Sequence, residues 1–208
     1  MAIMALIIGE SGTGKTTSLR NFKRGELSVI NVSGKPLPFK NNGIAVVKTD
    51  NYDKIATLLK KASAPSIVVD DAQYLMAFEF MNKAKERGYD KFTDIGSKYF
   101  NLLRVANSLP DDKIVYILSH IEQTAEGKEK CKTIGKMLDE KITLEGLFTI
   151  VLKTVVTIDN NNQRRFLFST VNNGYDTVKS PMGMFTESLI DNDLKQVDTT
   201  IREFYKNN

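Results

Sequence analysis

Short runs dense in valine and isoleucine alternate with longer polar-apolar stretches over the first half of the chain. The apolar runs predict strands at Ile3 to Ile8, Leu27 to Val32, Ile44 to Lys48, Ser66 to Val69 and Lys113 to Leu118, each bounded by turn formers. Helical spacing predicts helices over Lys15 to Lys23, Asn51 to Ala62, Ala72 to Arg87 and about Asp90 to Ser108. Parallel neighbours need a crossover connection, and helices provide it. The expectation is therefore an α/β fold with a mostly parallel sheet flanked by helices.

The texture changes after His120. A polar, lysine-rich passage from Ile121 to Gly146 predicts a loop or hairpin excursion. "FTIVLKTVVTID" and "RRFLFSTV" then alternate apolar and polar positions around "NNNQ", which predicts a C-terminal antiparallel hairpin. In the closing segment, Leu194, Val197, Ile201 and Tyr205 recur every three or four residues, as on an amphipathic helix. The expected organisation is one domain over 1–190 and a helical tail over 191–208. No internal repeat or low-complexity tract interrupts it.

Composition narrows the classes. At 208 residues, 41% hydrophobic and 26% charged, the chain can bury one full core. Its net charge of +4 is compatible with a polyanionic partner without demanding one. Cys131 is the only cysteine and His120 the only histidine, so neither an internal disulfide nor a zinc cluster is available. A reducing cytoplasm is the expected compartment. The apolar opening is too short and lacks the basic flank of a secretory signal, and no apolar run approaches the ~20 residues of a membrane span.

The candidate chemistry starts at "GESGTGKTT". Gly9, Gly14, Lys15 and Thr16 satisfy G-x-x-x-x-G-K-[ST] between a predicted strand and a predicted helix, the pattern of a phosphate loop. Gly9, Glu10, Ser11, Gly12, Thr13, Gly14, Lys15, Thr16 and Thr17 form the candidate cradle. Its backbone N–H groups would turn around an anion, Lys15 would reach the outer phosphates, and Thr16 would place its hydroxyl on Mg²⁺. "SIVVDDAQYL" delivers Asp70 at a strand's C-terminal end as the second metal anchor. Asp71 follows as a residue to orient water, with capping of the next helix as the alternative. "KIVYILSHIE" repeats that geometry and brings His120 to the same edge, either as a site residue or as an ordinary histidine.

"GESGTGKTT", "IVVDDAQYL", "IVYILSHIE" and "GKMLDEKITLEGLFTIVLKT", in this order, resemble the small phage-encoded P-loop ATPases with a RecA-like core, the Sak group linked to single-strand annealing and recombination. The likeness spans roughly residues 2 to 186, and "KSPMGMF" at Lys179 to Phe185 is among its more particular segments. It implies a RecA-like P-loop NTPase core, ATP and Mg²⁺ as cofactors, single-stranded DNA as polymer partner, and a homo-oligomeric ring or filament. It also implies that His120 couples the γ-phosphate to a DNA-binding loop, here Glu122 to Lys136. In the same assemblies a cation from the next subunit completes the site, for which Lys153, Arg164, Arg165 and Lys179 are candidates.

Two features depart from that pattern. The catalytic glutamate expected after the second strand is replaced by Ser33 in "SVINVSGK". The loop's four lysines face three glutamates and no aromatic residue, a weak footprint for nucleic acid. Two other readings stay open: a nucleotide kinase, for which the chain's seven arginines are few, and a non-hydrolysing, ATP-responsive replication loader or adaptor.

Overall fold

The computed structural model of the chain describes residues 1–136, 138 and 141–206. Met137, Asp139 and Glu140 of the quoted "GKMLDEK" and Asn207 and Asn208 of the tail lie outside the described residues. The strands are β1 (Ile3–Gly9), β2 (Leu27–Asn31), β3 (Ala45–Lys48), β4 (Ser66–Asp70), β5 (Ile114–Gln123), β6 (Glu129–Cys131), β7 (Ile150–Ile158), β8 (Arg164–Ser169) and β9 (Leu189–Asp191). The helices are α1 (Tyr52–Lys61), α2 (Gln73–Asn82), α3 (Asp90–Asn107) and α4 (Leu194–Lys206).

The strands run β3-β2-β4-β5-β1-β7-β8-β9 across one sheet. The first six are mutually parallel, β8 pairs antiparallel with β7, and β9 pairs antiparallel with β8. This is the expected α/β sheet with a C-terminal hairpin, extended by a ninth strand that the sequence pattern did not single out. β6 folds back on the overhanging end of β5, so the lysine-rich excursion begins as a hairpin. Register places Gly9 beside His120 and Asn31 beside Asp70. All four therefore stand at the C-terminal edge of the parallel strands, where α/β sheets bind ligands.

Both faces of the sheet are covered, which explains why its central strands are apolar at nearly every position. Leu6 and Ile8 of β1 point into a core shared with α1, α2 and α3, while Ala5 and Ile7 point into the opposite core with Leu19, Phe22 and α4. No described helix is long and apolar enough to cross a membrane.

Two helices are shorter than their sequence pattern predicts. Instead of a helix over Lys15 to Lys23, a six-residue 3₁₀ turn spans Thr16–Asn21. Hydroxyls and a guanidinium compete there for the backbone: Ser18 Oγ donates to the Lys15 carbonyl at 2.6 Å and Arg20 Nη1 to that of Thr17 at 3.2 Å. Phe22 then leaves in extended conformation to bury its ring. The helix expected over Ala72 to Arg87 ends at Asn82, because beyond it the sequence KAKERG supplies no apolar side chain but that of Ala84 to hold it on the core.

α4 is fastened at both ends. Asp193 accepts from Lys195 N at 3.0 Å and from Asn21 Nδ2 at 2.7 Å, tying the helix start to the 3₁₀ turn. Further along, buried Asp198 accepts from Tyr116 OH at 3.0 Å, from Arg202 Nε at 2.9 Å and from Ser66 Oγ. Removing that carboxylate leaves the buried Tyr116 hydroxyl without its partner and takes an acceptor from both Ser66 and Arg202, although Arg202 keeps the Asp112 and Pro65 carbonyls. Asp198→Ala is expected to lower unfolding free energy by about 3 kcal/mol in urea titration. An unchanged midpoint would show that the network does not hold α4.

Candidate functional site

The phosphate loop leaves β1 at Gly9 and curls back on itself. Lys15, almost fully buried, donates from Nζ to the carbonyls of Gly9 and Glu10, each at 2.8 Å, so its ammonium crosses the interior of the loop. Burial brings its pKa down to about 8, against the opposing pull of Asp71 and Asp70. Two glycines are demanded for different reasons. Gly14 has φ +98, in the left-handed region. At Gly9 the demand is space: an added Cβ would lie 1.8 Å from Thr154 Oγ1.

Thr154, on β7, is a buttress that no local pattern marks. Its hydroxyl lies 2.5 Å from Thr13 Oγ1 and donates to the Ile8 carbonyl at 3.3 Å, and Thr13 Oγ1 donates to the Glu10 carbonyl at 2.7 Å. Glu10 and Thr13 thus shape the loop from behind. Ser11, Gly12, Gly14, Lys15, Thr16 and Thr17 face a cavity of about 220 Å³, with Asn31, Ser33, Lys35, Asp70, Asp71 and His120 on its other walls.

Across the cavity, Thr16 Oγ1 donates to both carboxylate oxygens of Asp70 at 3.0 Å. Asp70 is only 3% exposed, and burial, followed by the adjacent charge of Asp71, pushes its pKa up to about 6. A desolvated carboxylate touching a threonine hydroxyl offers the kind of oxygen donors that fit Mg²⁺. Among the described residues no group of three or more His, Cys, Asp or Glu forms a metal cage.

Asp71 has φ +59, a left-handed conformation unusual for a residue with a side chain. Its side chain does not cap α2; the N-cap position is Ala72, without a side-chain bond. The carboxylate meets His120 Nε2 and Lys35 Nζ, each at 3.5 Å. Burial alone would raise its pKa, but hydrogen bonds from His120 and Ser33 and the charge of Lys35 outweigh it and hold the value at about 2. Ser33, which stands where a glutamate was expected, donates its hydroxyl to Asn31 Oδ1 at 3.3 Å and also helps to hold the Asp71 pKa down.

Supporting residues came from outside the sequence reading. Gln73 Oε1 accepts from His120 N at 3.2 Å and Ser119 Oγ at 3.4 Å, fixing the tip of β5. Asn31 Nδ2 donates to the Lys35 carbonyl at 2.8 Å and Oδ1 accepts from Gly34 N at 2.8 Å, shaping the turn that carries Lys35. The Lys35 ammonium also lies 5.2 Å from the centre of the Tyr74 ring. Asn31 carries the same signal that marked Asp70 and His120, a polar residue at the tip of an apolar strand.

The four candidate intersubunit cations do not converge on this cavity. Lys153 is engaged within its own chain, at 2.7 Å from Glu129 Oε2 and 3.1 Å from Asp176 Oδ2. Arg164, Arg165 and Lys179 are exposed, Arg165 lying 3.3 Å from Asp191.

Asp70 makes the free protein pH-sensitive. A carboxyl whose pKa rises on folding, from 3.8 to about 6, contributes stability that is complete below 3.8 and lost as pH climbs through 6. At neutral pH the ionised group then costs up to about 3 kcal/mol. Asp70→Asn is expected to raise the melting temperature of the nucleotide-free protein at pH 7.5, to give little gain at pH 4, and to abolish Mg²⁺-dependent ligand binding. A lower melting temperature at pH 7.5 would contradict this assignment.

No protein-family model matches the chain. No curated protein matches it either. Among solved structures, the chain is similar to the X-ray structure of the Legionella pneumophila ATPase DotB, at 12% identity and a TM-score of 0.40, over 81% of this chain and 44% of that one.

Proposed function

We propose that the chain binds ATP with Mg²⁺ at the C-terminal edge of its sheet and hydrolyses it. The observation that carries this reading is the Thr16 hydroxyl bonded to Asp70 at 3.0 Å beside a buried Lys15, inside a glycine-shaped loop. Lys15 exchanges its two carbonyl partners for phosphate oxygens. Thr16 and Asp70 would hold the cation, which would supply neutralisation of phosphate charge. Asp71, steadied by His120, Ser33 and Lys35, orients the attacking water. His120 also heads the overhanging end of β5, so a shift at the phosphate reaches the β5–β6 hairpin.

Single-stranded DNA as polymer partner, assembly into a ring or filament, and a role in phage recombination or annealing come from the resemblance to the Sak group. The hairpin's lysines give this half modest support, since Lys130 lies 3.5 Å from Glu122 and Glu129 is taken by Lys153. Avidity in an assembly would compensate for a weak patch. The kinase reading has less behind it, because none of the residues lining the cavity is an arginine to steady a phosphoryl group in flight.

Lys15→Ala is expected to abolish ATP binding. Asp71→Asn is expected to leave ATP affinity within about twofold and to slow phosphate release by about 100-fold or more, the usual scale for a lost water-orienting group. Both are read by ATP titration and by phosphate release with and without single-stranded DNA. Failure of the unaltered protein to bind ATP would end the proposal. Tight binding with negligible turnover, with or without DNA, would select the loader reading over the ATPase.

A further inference from the structure

A second cavity adjoins the phosphate loop on the side of the C-terminal hairpin. It measures about 320 Å³ and is lined by Gly12, Gly14, Thr17, Arg20, Phe166 and Asn192. Gly12, Gly14 and Thr17 also line the first cavity, so the loop is a ridge shared by the two. The first, at about 220 Å³ and walled by charged side chains, suits a chain of phosphates. A nucleoside attached to that chain needs further room next to Thr17.

Asn192 is the unusual wall of this second space. It is 2% exposed, yet neither its amide oxygen nor its amide nitrogen has a hydrogen-bond partner. Its main chain is fully used: N donates to the Phe166 carbonyl at 3.2 Å, and the carbonyl accepts from Arg20 Nη1 at 2.6 Å. The backbone is thereby fixed and the side chain is placed against Gly14, where an added Cβ would lie 3.0 Å from Oδ1. A buried amide without partners destabilises the fold that carries it and calls for a reason. Beside it Phe166 leaves 42% of its surface exposed, an aromatic face in a cavity that is otherwise polar or backbone.

We propose that this cavity is the nucleoside subsite of the triphosphate site, with Phe166 stacking on the base and the Asn192 amide reading an adenine. The inference rests on the ATP-binding reading above. An asparagine amide offers one donor and one acceptor, which pair with N7 and the N6 amino group of adenine; the same edge of guanine presents two acceptors, O6 and N7, and leaves the amide oxygen unmatched. Stacking on Phe166 holds the ring at that edge. Binding thus supplies the partners that Asn192 lacks in the free protein. The part of the first cavity lined by Pro36 and Pro38 is the competing position for the base.

The test is titration of the full chain with Mg²⁺ and ATP, GTP or inorganic tripolyphosphate, for the unaltered protein, Asn192→Ala and Phe166→Ala. Expected are ATP affinities about tenfold above GTP, a drop of about tenfold for ATP in each variant, and unchanged tripolyphosphate affinity. Melting of free Asn192→Ala is expected at or above the temperature of the unaltered protein, because the deleted amide had no partner to lose. A lower melting temperature with ATP affinity intact would make Asn192 a structural residue and overturn the proposal. Equal losses for ATP and tripolyphosphate would overturn it too, as would the same losses from Pro38→Ala in place of the two variants. If the unaltered protein binds tripolyphosphate but ATP no more tightly, the subsite falls and the phosphate loop stands; if it binds neither, the ATP-binding reading falls first.

Discussion

A single contact joins the two halves of the site: the Thr16 hydroxyl on the Asp70 carboxylate. Their strands, β1 and β4, are not neighbours, because β5 runs between them. The bond therefore spans a whole strand at the sheet's edge and defines the floor on which a cation would rest. It holds a carboxylate in a poorly hydrated place, and the raised pKa of Asp70 records that cost. Everything around it serves to keep the two groups facing each other: the Gly9–His120 register, the Thr154 buttress behind the loop, and the packing of both sheet faces.

The short turn after the loop changes how attraction for an anion is divided. An α-helix of several turns would align many peptide dipoles behind the phosphates. Six residues of 3₁₀ geometry align few, so for a phosphate bound as proposed the buried ammonium of Lys15 would carry a larger share. The same turn is stitched to α4 through Asn21 and Asp193 and through Arg20 and the Asn192 carbonyl. The C-terminal helix thus bears on the loop although the two are far apart in sequence.

Much of this was legible in the chain before any coordinates. Gly9 to Thr17, Asp70, Asp71 and His120 were visible because each follows an apolar run, and parallel strands deliver such residues to one edge. Thr154, Asn192 and Lys35 were not, because their roles depend on which distant strand lies beside the loop and on a turn geometry with no local signature. The lengths of the first and third helical segments were overestimated for a related reason: periodicity does not register hydroxyl groups claiming carbonyls, nor a helix outrunning its core. The pairing of Lys153 was equally hidden, because a lone lysine in a strand does not announce the two carboxylates folded against it.

The positive φ of Asp71 limits what can stand in its place. Asparagine and glycine tolerate the left-handed region, whereas alanine, glutamate or a β-branched residue would carry a penalty of roughly 1 kcal/mol or more before any chemistry is considered. Natural drift at this position is thereby narrowed by backbone shape independently of selection on turnover. A lengthened acid placed there to restore the missing glutamate would carry that penalty; at residue 33, whose φ is not positive, it would not.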